Sequence, residues 1–149
     1  MCIRDRVQTL PDPAAVELLA AAFSDCFEFR NAEPDIFAAD AFFDLYPPFW
    51  RFQLQGGDAF RAQLKKIAEG RSPRSRVLRV VPTVTGFVLE QEESAGPRGE
   101  VARRLWLCEV RDGRITEAVG YCNGGWDAEL RARHAAEAPM LRPWDGIAR

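Results

Sequence analysis

Apolar and polar side chains alternate along residues 74 to 123, whereas along 13 to 28 and 58 to 69 apolar ones recur every three or four positions. The first period belongs to strands and the second to helices. Val16, Leu19, Ala20, Phe23 and Phe27 follow Asp12-Pro13, a helix cap and first-turn pair, and predict a helix over about 13 to 28. The stretch "EPDIFAADAFF" (33 to 43) reads as a second, shorter helix that ends before Pro47 and Pro48, where proline forces extended backbone. Residues 49 to 55 alternate Trp50, Phe52 and Leu54 with Arg51, Gln53 and Gln55, as a short strand does, until Gly56 and Gly57 break it. Phe60, Leu64 and Ile67 form one stripe of a third helix over about 58 to 69.

Residues 76 to 94 predict one long strand, interrupted near Pro82 and Gly86 as at a bulge or bend. Two more strands follow over 100 to 110 and 114 to 123, and a last helix runs from about Trp126 to Ala138 and stops at Pro139. This order predicts an α+β fold, a cone-shaped, curved antiparallel sheet wrapped around about three helices, with a C-terminal helix. The domain spans 13 to 138, between an N-terminal tail (1 to 12) and a C-terminal tail (139 to 149). "MCIRDR" (1 to 6) resembles a read-through artefact and is kept out of the fold reading.

Asp112-Gly113 between two alternating strands is a strong hairpin signal, a two-residue type I′ turn. With Arg111 facing Arg114, an unbroken register sets Cys108 opposite Glu117, Trp106 opposite Val119 and Arg104 opposite Tyr121. Cys108 and Cys122 then point to opposite sides. Both faces of the hairpin are largely apolar, so one covers the helices and the other is expected to meet a second subunit. Leu105, Ala118, Gly120 and Cys122 share the face whose small side chains leave room, which assigns it to a pocket. Trp106 and Tyr121, broad and rigid, assign the other face to a homodimer contact.

Composition narrows the function classes. Twenty Lys and Arg are outweighed by 22 Asp and Glu, no basic run exceeds two residues, and nucleic acid is not expected as a partner. No apolar stretch approaches the roughly 20 residues of a membrane span, and no secretory leader opens the chain, so neither membrane association nor export is expected and the cytoplasm is the default compartment. Four cysteines and a single His134 show no metal-ligand spacing, so free thiols and no metal are expected.

With that element order, the run "VRDGRITEAVGYCNGGWD" (110 to 127) resembles the nuclear transport factor 2-like superfamily, especially its SnoaL-like branch. Its local marker is the turn Gly113-Arg114-Ile115 leading to Tyr121, and "DAFFDLYPPFWRFQLQGGDAF" (40 to 60) stands where the family places a short strand, a proline-rich loop and a lidding helix. The resemblance implies a cofactor-free pocket protein related to polyketide cyclases, ketosteroid isomerase, limonene epoxide hydrolase and dehydratases, although fold alone does not set function. It also implies that Thr116, Ala118, Gly120 and Cys122 face the cone. The chain departs from the epoxide hydrolases, since Gly120 stands where they carry a carboxylate and "LEQEES" replaces their Arg-x-Asp pair.

The candidate chemistry lies in carboxylates. Counted in alternation from Gly86, Val88, Glu90 and Glu92 share the pocket side, where a desolvated carboxylate would serve as general acid or base, with Arg103 near Glu92 as an ion-pair partner. Asp44, flanked by Phe42, Phe43, Leu45 and Tyr46, is the second catalytic candidate, and Tyr46, Trp50, Phe52 and Gln53 are candidate lining of the cone mouth. Cys122 is read as an inert thiol in the pocket wall and His134 as a structural or interface residue. The expectation is a homodimer that takes a small hydrophobic molecule and performs isomerisation, cyclisation, dehydration or epoxide opening through Glu90 or Asp44. The alternative is a non-catalytic ligand-binding or dimerisation module, its cone filled by Phe and Leu side chains.

Overall fold

The computed structural model describes residues 11–94, 99–138 and 140–142. Helix α1 (Pro13–Asp25) begins where the Asp12 side chain accepts the Ala14 N–H at 3.2 Å, and passes into one tighter helical turn at Cys26–Glu28. Then follow β1 (Phe37–Tyr46), β2 (Phe52–Gln55), α2 (Gly57–Ala68), β3 (Arg74–Pro82), β4 (Gly86–Ser94), β5 (Val101–Arg111), β6 (Arg114–Cys122) and α3 (Ala128–Glu137). The strands make one sheet in the order β2-β1-β6-β5-β4-β3. β1 runs parallel to β6 and every other neighbour is antiparallel, so the sheet is mixed rather than wholly antiparallel.

Three expectations are corrected here. The helix expected over 33 to 43 is largely β1, an inner strand paired with β2 on one side and β6 on the other. Apolar side chains fall on both of its faces and outnumber Asp40 and Asp44, which hides the period of two. The single strand expected over 76 to 94 is a hairpin, β3 and β4, closed where Thr83 donates its N–H to the Gly86 carbonyl at 3.0 Å. The third correction concerns the β5–β6 register.

Asp112 and Gly113, with φ of 52° and 72°, do form the type I′ turn. Val110 faces Ile115 as the turn dictates, but Glu109 faces Glu117, and Thr116 is left as an extra residue. A one-residue slip exchanges the faces of everything beyond it. Trp106 now lies opposite Gly120, Cys108 opposite Ala118 and Arg104 opposite Cys122, all turned toward the helices, while Leu105 and Tyr121 turn away. Cys108 and Cys122 therefore share a face, and both are free thiols. Similar register shifts in β1 and β3 bend the sheet further, giving it the curvature to wrap α1 and α2.

The space so enclosed is solid with aromatic rings. Phe23 from α1 meets Trp106 edge-on at 5.1 Å, and Phe60 from α2 stacks on Phe43 of β1 at 4.2 Å. Phe27 and Phe37 complete the cluster, all six fully or nearly fully buried. Each ring removed from water contributes roughly 1.5–3 kcal/mol, so this cluster dominates the stability of the fold.

Candidate ligand-binding site

The helix-facing side of the sheet does not carry the carboxylates expected there. Along β4, Phe87, Leu89, Gln91 and Glu93 point inward, opposite Cys108, Trp106, Arg104 and Ala102, whereas Val88, Glu90 and Glu92 point outward with Leu107, Leu105 and Arg103. Val88, Glu90, Glu92, Arg103 and Leu105 thus leave the pocket side. Glu92 is fully buried nonetheless, with Arg76 and Arg103 each 3.4 Å from its carboxylate, and Glu90 lies 3.5 Å from Arg103 and 3.6 Å from Arg79. They form an ion-pair lattice on the outer face.

Asp44, Tyr46 and Gln53 are brought together, but on that same outer face. Alternation along β1 sends Phe43 and Leu45 inward and leaves Asp44 outward, between Gln53 of β2 and Val119 of β6. Asp44 is only 7% exposed and accepts from Arg51 at 2.9 and 2.7 Å, from the Tyr46 hydroxyl at 3.2 Å and from Gln53 at 3.4 Å. The Arg51 guanidinium holds its carboxyl below the usual carboxylate range, against the opposing pull of burial and with help from Gln53 and Tyr46. Tyr46 is shifted the other way, pushed up by burial first and by Asp44 besides. A carboxylate already held by four donors is a poor proton acceptor, and its position is that of a clamp. Trp50 stands exposed at the tip of the following turn, and Phe52 packs at the edge of the core.

Ala118 and Gly120 lie on the inner face but enclose no room, because Trp106 fills it: a Cβ on Gly120 would come within 2.3 Å of the indole ring. An open concavity lies at the end of the cone instead. There Phe27, Pro47, Pro48, Leu64, Ala68 and Ala102 wall a concavity of about 340 Å³, with Arg104, Glu93 and Cys122 also lining it.

Its polar centre is a pair that parity from Gly86 hid. Arg104 Nε lies 2.8 Å from Glu93 Oε1, and Gln91, fully buried, donates to the same oxygen at 2.7 Å. The Arg104–Glu93 contact is close but misaligned, leaving the Nε–H without a hydrogen bond. Burial works against the charge on Arg104, but Glu93 outweighs it, and the guanidinium stays above its ordinary pKa. Its plane carbon sits 5.7 Å from the centre of the Phe27 ring. The signal for this pair was present in sequence: Phe87 and Leu89 are the large apolar residues of β4, and alternation from them reaches Gln91 and Glu93.

His134 lies on α3, its ring 5.1 Å from that of Trp126, and is not among the residues that line the mouth. Among the described residues no three His, Cys, Asp or Glu side chains cluster to hold a metal ion, and no helix is long and apolar enough to cross a membrane.

The sequence matches no family model and no curated protein. Solved structures do resemble it. A nuclear transport factor 2-like protein of unknown function from Mesorhizobium loti is 23% identical with a TM-score of 0.62, over 76% of this chain and 97% of that one. A LEH-like epoxide hydrolase of M. tuberculosis is 20% identical with a TM-score of 0.56, over 85% and 96%. A protein from Catenulispora acidiphila with a ketosteroid isomerase-like fold, crystallised with trimethylamine, is 14% identical with a TM-score of 0.57, over 76% and 86%. With the mixed six-stranded sheet curved around α1 and α2, these likenesses establish that the chain has the nuclear transport factor 2-like, or ketosteroid isomerase-like, fold.

Proposed function

We propose that the chain binds a compact, mostly apolar small molecule at the mouth of the cone and holds it without converting it. The ligand carries a hydrogen-bond-accepting head, a carbonyl or carboxylate, directed at Arg104. The observation that carries this reading is Arg104 itself, largely buried, lining an apolar concavity beside Glu93, with its Nε–H left without a hydrogen bond. Burying such a pair costs several kcal/mol of desolvation, so its placement favours recognition over stability.

The absence of turnover follows from how the acids are engaged. Glu93 accepts from Gln91 and faces Arg104, Asp44 is held by Arg51, and Glu90 and Glu92 are each met by two arginines. Glu93, which lines the mouth, is thus engaged by Arg104 and Gln91, while Asp44, Glu90 and Glu92 lie on the outer face away from it. The solid aromatic interior points the same way.

The test is native mass spectrometry and thermal shift with a panel of small carbonyl and carboxylate compounds. A ligand at a hundred times its Kd should stabilise the protein by about 2.7 kcal/mol. Replacing Arg104 and Glu93 together, by Met and Leu, should keep the fold, since paired removal of buried charges is tolerated, and abolish the preference for a polar head. Equal binding by the double variant would end this reading, and a change in ligand mass on incubation would replace binding by catalysis.

A further inference from the structure

Helix α1 meets the core through Val16, Ala20 and Phe23, yet its other side is not the charged face of an ordinary surface helix. From Pro13 to Ser24 the only charged residue is Glu17, and Leu18 is 75% exposed. This apolar side borders a groove of about 690 Å³, with Leu18, Leu19 and Ala22 on one wall and Ile36 and Val110 on the other. The second wall is fixed by backbone pairing, since Ile115 donates its N–H to the Ile36 carbonyl at 2.8 Å and stands opposite Phe37. Among the described residues none lines both this groove and the mouth.

The groove is acidic where it opens. Glu33 and Asp35 stand on the loop before β1 and Asp112 on the β5–β6 turn, and among the described residues that line the groove Arg114 is the only cation. Asp35 is already satisfied: Arg61 donates to it at 2.7 Å and holds its carboxyl below the ordinary range, against burial and with help from Arg114. Glu33 and Asp112 are exposed, and among the described residues neither has an ion-pair partner. Two uncompensated carboxylates therefore edge an apolar trough.

We propose that this groove is a second ligand site, separate from the mouth, for an amphiphilic ammonium: a tertiary or quaternary amine whose alkyl or aryl chain lies against α1 and whose cationic head meets Glu33 and Asp112. Burying the chain takes its own surface and that of Leu18 and Leu19 out of water, which supplies the affinity. The head stays at the open edge, keeps part of its hydration and is attracted by both carboxylates, which supplies the choice of ligand. An anionic head of the same size is repelled by that pair, and an uncharged one leaves it unused.

Calorimetric titration and amide chemical-shift mapping on the full chain test this, with octyltrimethylammonium, octanol and octyl sulfate as probes. The ammonium should bind about tenfold more tightly than either of the others, with shifts gathered at Leu18, Leu19 and Val110. Glu33→Gln combined with Asp112→Asn should erase that preference while the fold persists, because asparagine keeps the left-handed turn position at 112. Ala15→Phe, at an exposed position that lines the groove, should weaken the ammonium by about tenfold. Arg104→Met with Glu93→Leu should leave it unchanged, which separates this site from the mouth. Equal affinity for the three probes, a preference that survives loss of both carboxylates, or no binding up to about 1 mM overturns the proposal. Binding indifferent to Ala15→Phe, or shifts centred on Arg104, overturns it as well.

Discussion

Gly120 lies against the Trp106 indole so closely that a Cβ on the glycine would sit 2.3 to 2.7 Å from three of its ring atoms. Glycine at 120 is what lets the tryptophan occupy the centre of the cone. Gly120→Ala is expected to destabilise the protein by roughly 1–3 kcal/mol in denaturant unfolding, the range for an overpacked core. Trp106→Ala should cost roughly 3–5 kcal/mol and open an apolar hollow between Phe23, Phe27 and Phe60 that takes up a small aromatic molecule, seen as a rise in Tm. An alanine at 120 with unchanged stability would show that the ring does not hold this place in solution.

Asp44 should matter to stability in a pH-dependent way. Its carboxyl is held below the usual range by Arg51, so the folded chain binds that proton less readily than the unfolded chain. The stabilisation is therefore fully present above the ordinary aspartate pKa of about 3.9 and fades as pH falls through the lower folded value. Asp44→Asn should be less stable than wild type at neutral pH, with the two unfolding curves converging in acid. A constant difference down to about pH 2 would assign the effect to packing instead.

Phe49 follows Pro48, whose ring fixes φ near -65°, so the positive φ at Phe49 makes a type II turn with an aromatic residue at the glycine position. Phe49→Gly removes a strain of roughly 1–2 kcal/mol and loses no buried contact. The expected result, read at dilutions where association is absent, is a Tm at or above that of wild type. A fall in Tm would mean that the phenylalanine supports the fold.

The cysteines should differ in reactivity by position. Cys26 is pushed up to about 11 by burial, and Cys108 is raised further for the same reason, so both thiols are protonated at neutral pH. Cys122 is half-buried and lines the mouth. In a Cys2→Ser background, a thiol reagent should label Cys122 first, and a mouth ligand should slow that labelling. Faster modification of Cys108 would contradict the inward turn of its side chain.

Most elements were legible from spacing alone: both core helices, the Asp112-Gly113 turn and the strands that flank it. What failed depended on contacts distant in sequence. β1 reads as helical because Phe42 and Phe43 put large apolar side chains on both faces, and only its pairing with β2 and β6 makes it a strand. Thr116 carries no mark of a bulge, yet its extra position moves Trp106 from the outside to the core and Leu105 from the core to the outside. Glu90 and Glu92 were preferred to Glu93 because parity alone does not say which side is in. The large apolar residues Phe87 and Leu89 decide that, and they place Glu93 beside Arg104.

The parallel pairing of β1 with β6 sets a timetable for assembly. Asp44 stands opposite Val119 and Leu45 opposite Gly120, so β1 waits for a strand made about 75 residues later. Until β6 arrives, β1 can pair only with the four residues of β2, while the local hairpins β3–β4 and β5–β6 close on their own. Closure of the cone thus follows the synthesis of β6, and the aromatic rings of α1, α2 and β1 stay incompletely covered until then.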